Sequence, residues 1–139
     1  MPVRILRRAV RQSESTTPQR VRPESELSEC LSQVFRSGAF LLVTISEMAP
    51  DEEQWQVDLL DGLDGTRNSL VEIQRHRATS DRERSFLTRV SSLLSRCSDG
   101  LSMVEGGLHR GREDMILHGA HTLDEAMTDL RTCAEMLRR

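Results

Sequence analysis

The stretch LTRVSSLLSRCSDGLSMVEGGL, residues 87–108, decides the fold predicted for this 139-residue chain. Its apolar residues recur at alternating intervals of three and four, the spacing of one buried helix face. They are Leu87, Val90, Leu94, Cys97, Leu101, Val104 and Leu108. This seam predicts a long amphipathic helix in a bundle, and Gly106-Gly107 at its end predicts where that helix stops.

Signals upstream of this seam predict the starts of two helices. Ser80-x-x-Glu83 has the spacing of a capping box, in which each side chain bonds a free amide of the other residue. Pro50 is followed by three carboxylates, which favour the positive end of a helix dipole, and the pattern continues to about Arg77.

Two further segments fit helices but leave alternatives open. Apolar residues from Leu27 to Ile45 follow helical spacing, although residues 39–45 alone also fit a buried strand; one long helix is favoured. A last seam of apolar residues at helical spacing runs from Ile116 to Leu137. Thr122-x-x-Glu125 resembles a second capping box and predicts that Gly119 ends one helix before another begins at Leu123, although the seam also runs straight through.

These patterns predict an all-α fold, an antiparallel bundle of four to five helices. We expect residues 24–139 to form a single domain, since this length buries a sufficient core without disulfides or metals. Residues 1–23 are interrupted by prolines and rich in polar side chains, and they are predicted to be a flexible basic arm and linker.

Charge is divided unevenly along the chain, whose net charge is −3. Residues 1–23 contain one acid, Glu14, and six arginines: Arg4, Arg7, Arg8, Arg11, Arg20 and Arg22. Such an arm suits a protein partner, a nucleic acid or a membrane surface, and it also suits contact with the chain's own acidic remainder. In a eukaryotic source, the same composition is typical of a mitochondrial transit peptide.

Composition also excludes several chemistries. All 19 basic residues are arginine, so Schiff-base chemistry and a phosphate-loop lysine are excluded. The three cysteines are far apart and odd in number, which favours a reducing, cytoplasmic environment. No nucleophile motif and no glycine-rich phosphate loop occurs, so we predict no enzymatic activity, no catalytic residue and no cofactor.

Three of the four histidines, His109, His118 and His121, lie close together in the sequence. A dinuclear metal site in a bundle needs Glu-x-x-His pairs, and none occurs, so we predict no metal site. We interpret these histidines as side chains that border the predicted helix junction, and a metal-binding bundle using His118 and His121 stays the alternative.

The segment Ala120-His121-Thr122-Leu123 resembles the core of histidine phosphotransfer domains, a family in which a helix presents an exposed histidine. The resemblance covers four residues and implies that His121 is the phosphoacceptor. The family continues with lysine and glycine, whereas this chain continues with Asp124 and Glu125, whose charges repel a phosphoryl group.

The leading functional hypothesis is a non-enzymatic interaction module, an adaptor, scaffold or small helical chaperone that holds a protein partner or another copy of itself by helix packing. The candidate partner-binding residues on the bundle are Leu94, Leu101, Met103 and Met127, because apolar seams and methionine faces suit adaptable contacts. Those on the arm are Arg4, Arg7, Arg8 and Arg11.

Overall fold

The computed structural model describes residues 23–138, whose backbone forms four α-helices joined by short connections. They are α1 (Pro23–Glu47), α2 (Glu53–Arg75), α3 (Asp81–Arg110) and α4 (Glu113–Glu135), followed by a 3-10 turn (Met136–Arg138). No strand occurs in that part of the chain, so the all-α prediction is confirmed. The predicted basic arm falls in residues 1–22, outside the described residues.

The four helices pack as two antiparallel hairpins, α1 with α2 and α3 with α4. The hairpins meet mainly between α1 and α4, and α2 contacts α3 less extensively. Because successive helices alternate in direction, the turns at residues 48–52 and 111–112 lie at the same end of the bundle, here named the turn end. The connection at residues 76–80 lies at the opposite end, where α1 also begins.

One apolar core runs through the bundle, and every helix contributes fully buried side chains to it, such as Leu27, Leu63, Val90 and Leu123. The single tryptophan, Trp55, lies in this core, and its indole N–H donates a 2.6 Å hydrogen bond to the Thr44 carbonyl oxygen. Burial of the ring therefore leaves no unpaired donor, and the bond ties the start of α2 to the end of α1.

Residues 39–45 are helical, so the interpretation of one long helix is confirmed. Ser37-Gly38 does not interrupt α1 because both small residues face neighbouring helices. A Cβ on Gly65 of α2 would lie 3.2 Å from the Ser37 hydroxyl oxygen, and Gly38 faces the side chain of Met127 in α4. Small residues at these positions let α1 approach two helices at once.

The predicted helix junction at Gly119 is wrong, because α4 runs without a break from Glu113 to Glu135. Gly119 is buried against α3 instead of ending a helix. The Thr122 hydroxyl donates a 3.0 Å hydrogen bond to the His118 carbonyl oxygen within the helix, so Thr122 does not cap a new one. The uninterrupted apolar seam through this region correctly predicted a single helix.

Two predicted boundaries also shift. Gly106-Gly107 does not end α3, which continues to Arg110 and stops at Gly111, whose φ of 65° is the left-handed conformation that glycine adopts readily. Helix α2 begins at Glu53, three residues after Pro50, because the Glu52 amide donates to the Ala49 carbonyl oxygen and closes a turn first.

Candidate interaction surface

Three of the four bundle residues predicted to bind a partner lie inside the chain's own core. Leu94, Leu101 and Met127 are each at most 4% exposed, and Met103 is half-buried. Leu94 and Leu101 are buried on α3, and Met127 is buried on α4, where it faces Gly38 of α1. These three side chains therefore offer almost no free surface in the folded chain. Arg4, Arg7, Arg8 and Arg11, the arm residues of the same prediction, lie outside the described residues.

The three clustered histidines are all exposed, and they do not converge. Within the described part of the chain, no group of three or more His, Cys, Asp or Glu side chains is placed to hold a metal ion. His121 Nε2 lies 3.0 Å from Glu125 Oε1, with both side chains more than half exposed. His121 is thus accessible on an uninterrupted helix, but its nearest ionic neighbour is a carboxylate.

The fourth histidine, His76, belongs to a buried polar cluster that sequence reasoning found only in part. Glu83 is 1% exposed, and its Oε1 accepts three hydrogen bonds: from the His76 ring at 2.9 Å, the Thr79 amide at 3.0 Å and the Thr79 hydroxyl at 3.1 Å. The Ser80 hydroxyl accepts from the Glu83 amide at 3.1 Å, as in a capping box. The carboxylate, however, bonds the Thr79 amide and not the Ser80 amide.

Opposing effects act on the pKa of Glu83. Burial raises it, but the hydrogen bonds from His76 and Thr79, with the charge of His76, outweigh burial, and the net pKa is lowered. The second oxygen, Oε2, is buried with no hydrogen-bond partner among the described residues. This cluster fixes the connection between α2 and α3 at the end opposite the turn end, and we assign it a structural role.

An open cleft of about 420 Å³ lies beside this cluster. It is lined by Glu26, Glu29, Cys30, Glu72, Arg75 and His76. The Cys30 thiol lies 3.8 Å from a Glu72 carboxylate oxygen. Burial, together with the negative charge of Glu72, raises the pKa of this thiol. A raised pKa favours the protonated thiol, which is a weaker nucleophile than the thiolate.

Exposed apolar side chains are concentrated at the turn end. Among the described residues, six large hydrophobic side chains are exposed: Phe40, Val43, Val57, Leu60, Leu117 and Met136. All but Met136 lie in the half of their helix nearer the turn end. Phe40 and Val43 are three residues apart on α1, as are Val57 and Leu60 on α2, so each pair lies on one side of its helix. Val43, at 59%, is the most exposed.

Acids are the only charged residues in the segment that carries these two pairs. Residues 37–66 contain seven acids and no arginine, lysine or histidine. The acids are Glu47, Asp51, Glu52, Glu53, Asp58, Asp61 and Asp64, all exposed except the half-buried Asp58. Among residues 26–137, no salt bridge joins Glu47, Glu53 or Asp64 to an arginine.

The register of α1 and α2 places the two apolar pairs close to the same level of the bundle. A Cβ on Gly62 would lie 3.1 Å from Leu41 Cα, so Phe40 and Val43 lie level with the α2 segment around Asp58–Gly62. We name the four apolar side chains with the seven acids the α1–α2 acidic face. Sequence reasoning missed it, although thirty residues without a basic side chain were a readable signal.

Comparison of the chain with protein-family models, with curated proteins and with solved structures finds no match. No helix among the described residues is both long enough and apolar enough to cross a membrane. The geometry and charge of the α1–α2 acidic face are therefore the basis for assigning a function.

Proposed function

We propose that this chain is a non-enzymatic protein-interaction module whose α1–α2 acidic face binds a basic amphipathic segment of a partner protein. One observation carries the proposal: the exposed apolar pairs Phe40–Val43 and Val57–Leu60 lie within a run of thirty residues that has seven acids and no base. A helix or loop of a partner can pack against the apolar pairs, and the acids favour a partner segment that is basic.

The apolar side chains supply the affinity in this proposal. Burying apolar surface contributes about 25 cal/mol per Å². Covering a side chain as exposed as Val43 or Phe40 therefore stabilises a complex appreciably. Large aromatic residues are also enriched among the residues that dominate binding. Phe40, one of only three phenylalanines in the chain, is the best candidate for such an anchor.

The carboxylates supply selectivity and steering. The segment carries seven negative charges. They attract a basic segment over roughly one Debye length, about 8 Å at physiological salt, and repel an acidic one. Exposed ion pairs add little net stability, so we expect the charges to act mainly on the association rate and on the choice of partner.

The experiment uses two labelled synthetic peptides and the full chain. One peptide carries arginines on one helical face and leucines on the other, and its counterpart has glutamate in place of every arginine. Fluorescence anisotropy should show binding of the arginine peptide only, with affinity falling as salt is added. Binding of both peptides alike, or of neither, would overturn the proposal.

Two variants of the full chain locate the binding site. Val43→Glu with Leu60→Glu should weaken binding of the arginine peptide by about tenfold or more, since apolar contact is lost at both helices. The matched control neutralises the cleft at the opposite end through Glu26→Gln, Glu29→Gln and Glu72→Gln, and it should bind as the wild-type chain does. The reverse pattern would assign the site to the cleft and contradict the proposal.

A further inference from the structure

We propose that residues 1–11 of the same molecule dock on the α1–α2 acidic face and compete with the partner for it. This inference rests on the proposed function, because the two occupants share one face. It adds a regulatory contact: the chain's own N-terminal segment competes with a partner for the same face.

Charge and apolar character are complementary between the two parts. Residues 1–11 contain Arg4, Arg7, Arg8 and Arg11 and no acid, interspersed with apolar residues such as Ile5 and Leu6. The face that would receive them combines seven carboxylates with exposed apolar side chains. The segment thus has the chemistry required of the partner: basic side chains for the acids, and aliphatic side chains for the apolar pairs.

The chain between the two parts is long enough. Helix α1 begins at Pro23. A helix rises about 1.5 Å per residue, which places Phe40 and Val43 about 26 and about 30 Å from its start. Residues 12–22 can span about 36 Å when extended, since each residue contributes roughly 3.3 Å. Residues 1–11 can therefore reach the face of their own molecule.

Linkage within one molecule favours this occupant over a second copy. A short tether gives an effective concentration on the order of millimolar, so docking in the same molecule outcompetes docking between copies at ordinary protein concentrations. A partner must then bind tightly enough to displace the segment, which makes the contact autoinhibitory.

The cleft at the opposite end is the rival location, because Glu26, Glu29 and Glu72 also line an acidic surface. Arg75 lines the same cleft and offsets part of that charge. None of the six exposed large hydrophobic side chains of the described residues belongs to the cleft. Residues 37–66 contain no basic residue and offer exposed apolar contacts, with exposed Arg36 one helical turn before Phe40 as the nearest base in α1. With seven acids and these apolar contacts, the α1–α2 acidic face suits the N-terminal segment better than the cleft does.

The test compares amide NMR spectra of the full chain with those of the variant Arg4→Gln, Arg7→Gln, Arg8→Gln. Beyond the N-terminal segment itself, chemical-shift changes should be confined to residues 40–64 and should shrink as salt screens the wild-type contact. Changes centred on the cleft, or no change in residues 23–138, would overturn the inference.

A matched variant, Arg75→Gln, Arg77→Gln, Arg110→Gln, removes the same number of charges from the body of the protein. It should leave the signals of residues 40–64 in place. Dilution of the wild-type chain should also leave them unchanged, with a monomer in sedimentation. If dilution instead reproduces the spectrum of the N-terminal variant, the segment docks on a second copy and the inference fails.

Peptide affinity separates this inference from the proposed function. If residues 1–11 occupy the face about nine-tenths of the time, the N-terminal variant should bind the arginine peptide about tenfold more tightly than the wild-type chain. Equal binding by the two chains would refute the competition and leave the proposed function standing. Absence of peptide binding in both chains, with the NMR contact intact, would refute the proposed function alone.

Discussion

Gly100 of α3 and Gly119 of α4 face each other with no side chain between them. A Cβ on Gly119 would lie 2.7 Å from the Gly100 carbonyl oxygen, and a Cβ on Gly100 would lie 2.9 Å from the Gly119 carbonyl oxygen. Both distances are shorter than a carbon–oxygen contact tolerates, and the obstructing atoms belong to the backbone. The tightest hairpin of the bundle therefore depends on glycine at both positions.

We predict that Gly119→Ala destabilises the protein, although alanine favours a helix over glycine by about 1 kcal/mol. The added methyl group forces α3 and α4 apart, and overpacking of this kind costs about 1–3 kcal/mol or more where backbone must move. Urea unfolding followed by circular dichroism measures the change. A variant as stable as the wild type would contradict the close approach of the two helices.

Gly106→Ala is the matched control on the same hairpin. Its Cβ would approach the Cε of Met115 at 3.0 Å. That atom is the end of a flexible side chain that is able to move aside. We expect this variant to be about as stable as the wild type or more stable, in contrast to the destabilised Gly119→Ala.

The same contacts explain how far the fold could be predicted from sequence. Local periodicity was sufficient for the four helices, because α1 and α3 carry regular apolar seams such as Leu94–Leu101. The junction at Gly119 was predicted wrongly because glycine and a capping-box pattern are local signals. What overrides them is a tertiary contact with Gly100, a residue nineteen positions away.

The candidate surface was harder to predict for a related reason. The spacing of an apolar seam is the same whether the chain's own helix or a partner covers it. The sequence alone therefore could not distinguish the core residues Leu94, Leu101 and Met127 from residues of a binding face. Phe40 and Val43 lie outside the regular seam of α1, and only the packed structure shows that they are exposed. The run of acids without a base in residues 37–66 was the one feature of this surface that the sequence itself contained.

We predict that Glu83→Gln destabilises the protein at neutral pH by about 1–2 kcal/mol, the usual cost of weakening charged hydrogen bonds in a buried cluster. The substitution removes the charge that strengthens the hydrogen bonds from His76 and Thr79. It also places an amide NH₂ in a cluster in which Oε2 has no partner among the described residues. Thermal or urea unfolding gives the difference from wild type. Equal stability would show that the cluster does not hold the connection between α2 and α3.

The same substitution should change the pH dependence of unfolding. The pKa of Glu83 is lowered in the folded state, so its charged form stabilises the protein above the ordinary value of 4.5, and this contribution is lost as the pH falls through the lowered pKa. The difference in unfolding free energy between wild type and Glu83→Gln should thus shrink below pH 4.5. A difference that stays constant would assign the effect to packing.

Asp114→Asn is the control for this pH experiment. The hydrogen bond from Arg112 and its charge lower the pKa of Asp114, but both side chains are exposed, and solvent screens their interaction. We expect a much smaller dependence of stability on pH from this pair than from Glu83, even though both carboxyl groups shift in the same direction.

We predict that exposure separates the effects of two neighbouring residues of α1. Leu41 is fully buried against α2, whereas Val43 is 59% exposed. Leu41→Ala should destabilise the protein by about 2–5 kcal/mol, because the truncation leaves a cavity. Val43→Glu should change stability by only about 0.5 kcal/mol or less, as is usual for a surface substitution. Chemical denaturation of both variants checks the pair.

A large loss of stability from Val43→Glu would mean that this side chain packs inside the folded protein. Val43 would then be removed from the proposed surface, and the weakened peptide binding of its variant would reflect unfolding. The stability measurement therefore comes before the peptide titration for this variant.

We predict finally that Cys97 reacts with a thiol reagent only when the protein unfolds. Cys97 is fully buried, and burial raises the pKa of its thiol to about 11, partly offset by the nearby charge of Arg96. At pH 8 roughly one thiol in a thousand is then the reactive thiolate. In a chain with Cys30→Ser and Cys133→Ser, the labelling rate should rise with urea in parallel with global unfolding, because α3 and α4 must separate to admit the reagent. Rapid labelling without urea would mean that the hairpin opens locally, and it would contradict the tight packing at Gly100 and Gly119.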